Sequence, residues 1–282
     1  MTAIIDARSP DAPSPELLQF FLPLHRAFEP RRKILLDARR MSLAKAHAGE
    51  MPGYLPESEA TTGVWRLSVP EWAKDQRNQI TGPADNAKLL VAMCNTKDPG
   101  CMPDGEDSIT TDWDRVRAAQ RNTVAAIKGT LTFTDAAGKT TAIKPSKQVM
   151  LYRPRGLHLD ETNALSGETA SGSLFDLAVL FFETADQRRE ALKKPELQAK
   201  LCFYIPKTES AEEAAWFSDA IAAMETVIGI PVGTTKIMFL IESLPAAYQI
   251  EEILFAAKRH VIGLNLGRWD YMASLLHFKL AM

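Results

Sequence analysis

Residues 234–272 read TTKIMFLIESLPAAYQIEEILFAAKRHVIGLNLGRWDYM, and this stretch decides the fold. An almost wholly apolar run, 236–241, stops at Glu242. Pro245 then opens a helix-like segment, and a second apolar run, 261–266, stops at Gly267-Arg268-Trp269-Asp270. That order is strand, helix, strand. Strands buried on both faces read as unbroken apolar runs, and in α/β barrels the chemistry sits where such strands end. Glu242 and Asp270 are therefore expected to project from neighbouring strands into one site. Two hard carboxylates with room for water suit Mg²⁺. The alternative is that each acid caps the helix that follows it.

Working outward, short apolar runs alternate with helical segments from Trp65 onward, the pattern of repeated βα units. Strands are expected at 77–82, 100–107, 148–152 and 201–206, followed by the two of the opening stretch. The fold class is α/β, a TIM-type (β/α) barrel that is incomplete at about six strands where a closed barrel has eight. Pro103 lacks an amide donor and Gly105 lacks a side chain to pack, so the second strand is expected to be weakened or shifted. Its acids, Asp104, Glu106 and Asp107, anchor metal-bound water or form a capping turn before Trp113. Residues 130–143 read as a hairpin inserted on the barrel's exterior, and 167–175 as a flexible loop entering a helix. In the helix over 211–228, Trp216, Ile221, Met224 and Ile228 read as packing. Open sheet edges expose unpaired amides and predict self-association or a complementing partner.

The first 14 residues read as a loose terminus. From Pro15 a basic, apolar-periodic segment is expected to form two or three helices, broken at Pro23 and Pro30 and ended near Gly49. Its arginines read as a solvated face rather than a surface for an acidic partner. Residues 1–64 thus form an N-terminal helical region and 65–282 the partial barrel.

With 46% hydrophobic and 24% charged residues, the 282-residue chain has an ordinary soluble composition. A formal net charge of −2 gives no reason to expect nucleic acid, and no apolar run suits a membrane span. The N-terminus lacks a basic segment followed by an apolar one, and the final KLAM is not an SKL-type address, so the expected compartment is the cytoplasm. Cys94, Cys101 and Cys202 read as free thiols, and the histidines form no HExxH-like pair.

Several phrases resemble the malate synthase family, specifically its shorter A-type branch: HRAFEPRRKILLDAR followed by GEMPGYLPES, RPRGLH, GETASGSLFD, PKTES, LIESLPAAYQIEEIL and GLNLGRWDYM. The resemblance implies a helical N-terminal region clasping the barrel, with Glu242 and Asp270 as ligands of the catalytic Mg²⁺. It makes Arg153, the first arginine of the family's R-x-R-G-x-H-L motif, the catalytic arginine. From its residues alone, Arg153 is either a fixed two-donor group for a carboxylate or enolate, or a structural ion pair. Gly267, Arg268 and Trp269 would hold the carboxylate of glyoxylate with their backbone amides. Arg155, Glu168, Lys207, Asp104, Glu106 and Asp107 would support the site. Glu168 either hydrogen-bonds there or is solvated, and Lys207 either favours an anionic ligand or pairs with Glu209.

The implied reaction condenses glyoxylate with acetyl-CoA and hydrolyses the product to malate and CoA, a step of the glyoxylate cycle. The family's base is an aspartate in a helical C-terminal domain beyond GRWDY, and the final SLLHFKLAM departs from the family pattern. The acetyl-CoA site is accordingly expected to be incomplete. Two other readings stay open: a non-catalytic homologue binding Mg²⁺ and a 2-oxo acid, and a citrate-lyase-like acyl-CoA lyase.

Overall fold

The computed structural model describes residues 11–280. Most of the loose terminus expected over 1–14, and the last two residues of the KLAM tail, lie outside them. The first half of the chain forms α1 (Pro15–His47), α2 (Glu59–Thr62), a 3₁₀ turn (Glu71–Ala73), β1 (Gln79–Pro83), α3 (Ala87–Cys94), β2 (Gly100–Asp104) and α4 (Trp113–Ile127). Next come β3 (Thr132–Thr134), β4 (Thr140–Ala142), β5 (Val149–Tyr152), β6 (Asp160–Leu165), β7 (Glu168–Ser171), α5 (Gly172–Glu183), α6 (Ala185–Ala191) and α7 (Pro195–Gln198). The chain continues through β8 (Cys202–Ile205), α8 (Ala211–Val227), β9 (Ile237–Ile241), α9 (Leu244–Ala247), α10 (Ile250–Ala256), β10 (Val261–Leu266) and α11 (Arg268–Lys279).

The expected break-up of the N-terminal region does not occur, because α1 runs unbroken through Pro23 and Pro30. A proline in a helix frees the carbonyl four residues earlier. Here Pro23 and Pro30, and the residues Gln19 and Arg26 that carry those carbonyls, all lie on the exposed side, open to solvent. The Ser14 hydroxyl accepts from the Leu17 amide and starts the helix. The opposite face buries Leu17, Phe21 and Leu24 against α5 and α8, with Phe21 edge-on to Phe175 and the Trp216 indole donating to the Phe28 carbonyl at 3.0 Å.

The basic face of α1 is not simply solvated, contrary to expectation. Arg32 is 2% exposed and donates to Glu29, to Asp160 and to the Leu157 carbonyl at 2.7 Å. Arg39 grips Glu213 through two nitrogens at 2.5 and 2.6 Å and donates to the Lys207 carbonyl. These arginines fasten the helix to the sheet layer, a role that helical periodicity does not reveal.

One six-stranded sheet, ordered β1-β2-β5-β8-β9-β10 and parallel throughout, carries the fold. The expected strands are all present, and β8 and β9 are buried at every position. The second strand is not displaced: β2 pairs with β1 over five positions and is wholly buried. Pro103 costs it only part of the pairing with β5, which reduces to Gly100 and Cys101 plus a bridge between Asp104 and Arg153. Residues 132–142 form the expected exposed hairpin β3–β4. The segment read as a flexible loop instead contributes β7, which pairs antiparallel with β6.

Helices α5 and α8 cover the outside of the sheet, with residues 172–181 of α5 all buried. Met102, Leu151, Tyr204, Met238 and Leu240 fill the inner face. The two edge strands do not pair, so the barrel is not closed. Near its amino end the sheet curls far enough for the Gln76 amide to donate to both the Ala73 and Ile262 carbonyls, at 2.8 and 3.1 Å. Cys94, Cys101 and Cys202 are free and buried. Among the described residues no helix is long and apolar enough to cross a membrane.

Candidate active site

Parallel strands point their carboxyl ends the same way, so residues that directly follow β2, β5, β8, β9 and β10 meet at one end of the sheet. The residues there are Asp104 at the end of β2 with Glu106 and Asp107 after it, Arg153 after β5, Lys207 after β8, Glu242 after β9 and Asp270 after β10. Arg153 holds Asp104 through two nitrogens, Nε at 2.7 Å and Nη2 at 2.6 Å, while its Nη1 reaches Asp107 at 3.1 Å. This fork is the bidentate geometry that a lysine cannot reproduce. Burial would raise the Asp104 carboxyl, but Arg153 and the amides of Glu106 and Ser108 hold it below its ordinary value.

Lys207 lies amid the remaining acids. Its ammonium is 2.8 Å from Asp107, 3.2 Å from Glu106 and 3.3 Å from Asp270, and its backbone N–H donates to Glu242 at 2.7 Å. The pairing with Glu209 expected as an alternative is absent, because Glu209 faces Arg39. Lys207 is also the one non-glycine residue with positive φ, 51°, among those described. A left-handed backbone at an L residue is costly and persists where its surroundings fix it. Burial would lower the Lys207 ammonium, yet the surrounding acids raise it, so it stays charged.

Three acids, Glu106, Asp107 and Asp270, thus contact one ammonium, Glu242 accepts from the backbone N–H of the same lysine, and Arg153 is held mainly by Asp104. Burial pushes Glu106 up to about 8, with Asp107 adding to the shift and Lys207 opposing it. Burial likewise pushes Glu242 up to about 7, opposed by the Lys207 amide and ammonium and reinforced by Asp270. Oε1 of Glu106 is buried without a hydrogen-bond partner. The acidic trio does not cap the helix before Trp113: α4 has Asp112 at its N-cap position, with no side-chain cap.

Glu242 and Asp270 both line a pocket of about 410 Å³ with Arg39, His158, Lys207 and His277. They are on one side of the molecule, and each approaches the same lysine. Asp270 sits in the first turn of α11, whose first-turn amides at Arg268, Trp269 and Asp270 precede the first intrahelical bond, donated by Tyr271 to the Gly267 carbonyl. Such donors suit an anionic ligand. The Gly267 amide differs, because it is spent on the Ile241 carbonyl at 3.1 Å. What Gly267 supplies is room: a Cβ there would lie 2.4 Å from Oε2 of Glu242. Gly105 serves in the same way, since a Cβ there would lie 2.2 Å from the Tyr152 hydroxyl.

Two expected supporting residues, Glu168 and Arg155, and one expected glyoxylate-binding residue, Trp269, lie apart from this cluster or only at its edge. Glu168 is exposed on β7 and pairs with His25 of α1 at 3.0 Å. Arg155 is buried between Asp176 and Glu161, each at 2.8 Å, and organises the turn after β5. Trp269 is 77% exposed and packs under the Arg268 guanidinium. His158 and Arg39, neither of them among the expected site residues, also form the pocket wall. Burial and the cations Arg39, Lys207 and Arg32 push His158 down to about 4, leaving it neutral near pH 7. The RPRGLH and HRAFEPRRKILLDAR phrases were the available signals for these two.

The donor set fits a hard divalent cation. All candidate ligands are oxygens, they carry surplus negative charge, and Glu106 retains an unsatisfied buried oxygen. Among the described residues no three His, Cys, Asp or Glu side chains gather closely enough to hold a metal ion as they stand.

Two family profiles match the chain, one described as the malate synthase N-terminal domain over residues 13–60 and one as the malate synthase TIM barrel domain over 149–281. Malate synthase A of Escherichia coli K12 is 37% identical over 264 residues, covering 93% of this chain and 48% of that protein. Malate synthase of Myxococcus xanthus is 38% identical with the same coverage, and the glyoxysomal malate synthase of Candida tropicalis is 35% identical over 269 residues. The chain spans about half the length of the curated relatives it matches. With both domain profiles and relatives aligned over nearly its whole length, the chain belongs to the malate synthase family.

Proposed function

We propose that this chain carries the glyoxylate-binding half of a malate synthase site, serving condensation of glyoxylate with acetyl-CoA and hydrolysis to malate and CoA. The observation that carries the reading is the convergence of four acids on Lys207 at the carboxyl ends of neighbouring strands, Glu106, Asp107 and Asp270 on its ammonium and Glu242 on its backbone N–H, with Arg153 beside them. In this reading residues 1–64 form the helical clasp and 65–282 the catalytic layer.

Glu242 and Asp270 would hold Mg²⁺, which when bound polarises the aldehyde of glyoxylate toward attack. The first-turn amides of α11 orient the carboxylate of glyoxylate in the pocket. Arg153, fixed by Asp104, presents its remaining N–H groups to the oxygen of acetyl-CoA on which charge develops as a methyl proton leaves. Prior fixation by Asp104 means that little reorganisation accompanies this charge development. Glu106 and Asp107 would accept hydrogen bonds from water held by that cation. Arg39 and the neutral His158 close the pocket wall.

Two measurements test the reading. Titration calorimetry of glyoxylate in MgCl₂ is expected to show binding that EDTA abolishes and that Glu242→Gln or Asp270→Asn weakens at least tenfold. Release of CoA from acetyl-CoA plus glyoxylate is expected when the chain is supplied with a helical segment bearing the aspartate base. Metal-independent glyoxylate binding would remove the assignment. Metal-dependent binding without CoA release in that reconstituted assay would instead support the non-catalytic reading.

A further inference from the structure

At the opposite end of the sheet, where β8 and β9 begin, α6 carries Arg188 into the core. Arg188 is 1% exposed, and its guanidinium lies 3.9 Å from the ring centre of Phe181. Its Nε donates to the Thr184 hydroxyl at 3.2 Å, and Nη1 donates to the Leu201 carbonyl and the Thr235 hydroxyl, both at 3.1 Å. Nη2 has no partner.

Every acceptor around Arg188 is neutral, which sets it apart from the other deeply buried arginines. Arg32, Arg153 and Arg155 each contact a carboxylate, whereas among the described residues none lies within ion-pair distance of Arg188. The nearest acid, Glu225, is committed elsewhere: its oxygens accept from the Thr235 amide at 2.5 Å, the Gly233 amide at 2.7 Å and His260 at 3.1 Å. Burying a guanidinium without a contact anion is expensive. Burial pushes Arg188 down to about 10, still charged at neutral pH.

A hole of about 10 Å³ adjoins it, lined by Arg188, Gln198, Leu201, Ile230, Thr234 and Thr235. That volume holds about one water-sized sphere. We propose that the hole binds a single small monatomic anion of chloride size, held by Nη2 of Arg188 and the hydroxyl hydrogen of Thr235. The Thr235 hydroxyl accepts from Arg188 and keeps its own proton to donate. The Thr234 hydroxyl is already given to the Pro231 carbonyl at 2.6 Å. Carboxylates, sulfate and phosphate are too large. Water would satisfy Nη2 while leaving its charge without a contact partner; a halide does both. The anion joins α6 to the starts of β8 and β9 and is independent of the glyoxylate pocket.

The test is the thermal unfolding of the full chain in sodium gluconate, with gluconate replaced stepwise by chloride or bromide at constant ionic strength. A saturating rise in Tm on the order of several degrees is expected. Thr235→Val, which keeps the side-chain shape, should shift half-saturation several-fold higher, and Arg188→Met should abolish the dependence. A crystal soaked in bromide should show an anomalous peak beside Nη2. Coincident melting curves in all three salts, or a water without bromide signal at that position, would overturn the proposal.

Discussion

Gly267→Ala is a small perturbation with a calculable result. The glycine has φ −86°, which alanine adopts freely, so no backbone strain enters. The added Cβ would meet Glu242 at Oε2, 2.4 Å away, and at its Cβ, 2.5 Å away. Ordinary contact begins near 3.4 Å, so one strand end must move by about 1 Å; rotating the carboxylate cannot clear a clash with Cβ. Overpacking of this size costs about 1–3 kcal/mol, and about 2–4 °C of Tm is lost per kcal/mol in chains somewhat smaller than this one. The carboxylate that would face the cation is displaced by a similar amount, and a misplacement of about 1 Å can cost about 100-fold. Calorimetry should therefore show Mg²⁺-dependent glyoxylate binding weakened about 10- to 100-fold, in a variant whose circular dichroism is unchanged. Gly53→Ala, which meets nothing within 4 Å, is the neutral control. Wild-type glyoxylate affinity in Gly267→Ala would refute the placement of Glu242 at the site.

Other predictions follow from single residues. Arg32→Met leaves buried Glu29 and the Leu157 carbonyl without their donor, and should cost about 3–5 kcal/mol in urea unfolding; a loss under 1 kcal/mol would show that α1 does not depend on this contact. Glu106 has its carboxyl raised from about 4.5 to about 8, so the folded state holds a proton that the unfolded state has released. The stability this proton contributes is complete below about pH 4.5 and is lost as pH rises toward 8. Unfolding at pH 5.5 and 8 should thus show a decline in the wild type that Glu106→Gln flattens, and an unchanged decline would assign it to other groups. Lys207→Met removes the ammonium competing for the acids, and Mg²⁺ affinity by calorimetry should rise on the order of tenfold. Weaker binding would mean that Lys207 gathers the acids instead of competing for them.

Much of the sheet was legible because its strands are continuous apolar runs ended by charged residues, as at Ile241-Glu242 and Tyr152-Arg153. Those junctions also pointed to the candidate site, since parallel strands deliver their ends to one side. Features that depend on distant residues were not legible. Whether Pro23 and Pro30 break α1 depends on which face meets solvent, and that is set by α5 and α8. Strands β6 and β7 are short and polar, without alternation, so GETAS read as a loop. Glu168 is drawn away from the site by His25, and Lys207 toward it by acids about 60 to 100 positions distant. The resemblance to A-type malate synthases supplied the roles of these residues, while the tertiary fold supplied their company.

The central claim is that Glu242 and Asp270 grip one divalent cation. The most direct test is a crystal of the chain grown with Mn²⁺ and glyoxylate, with diffraction recorded at the manganese edge. The account predicts one anomalous peak about 2.0–2.3 Å from an oxygen of each carboxylate, with the Lys207 ammonium moved aside. A structure in which manganese binds elsewhere, or is absent while Lys207 still bridges Glu106, Asp107 and Asp270, would contradict it.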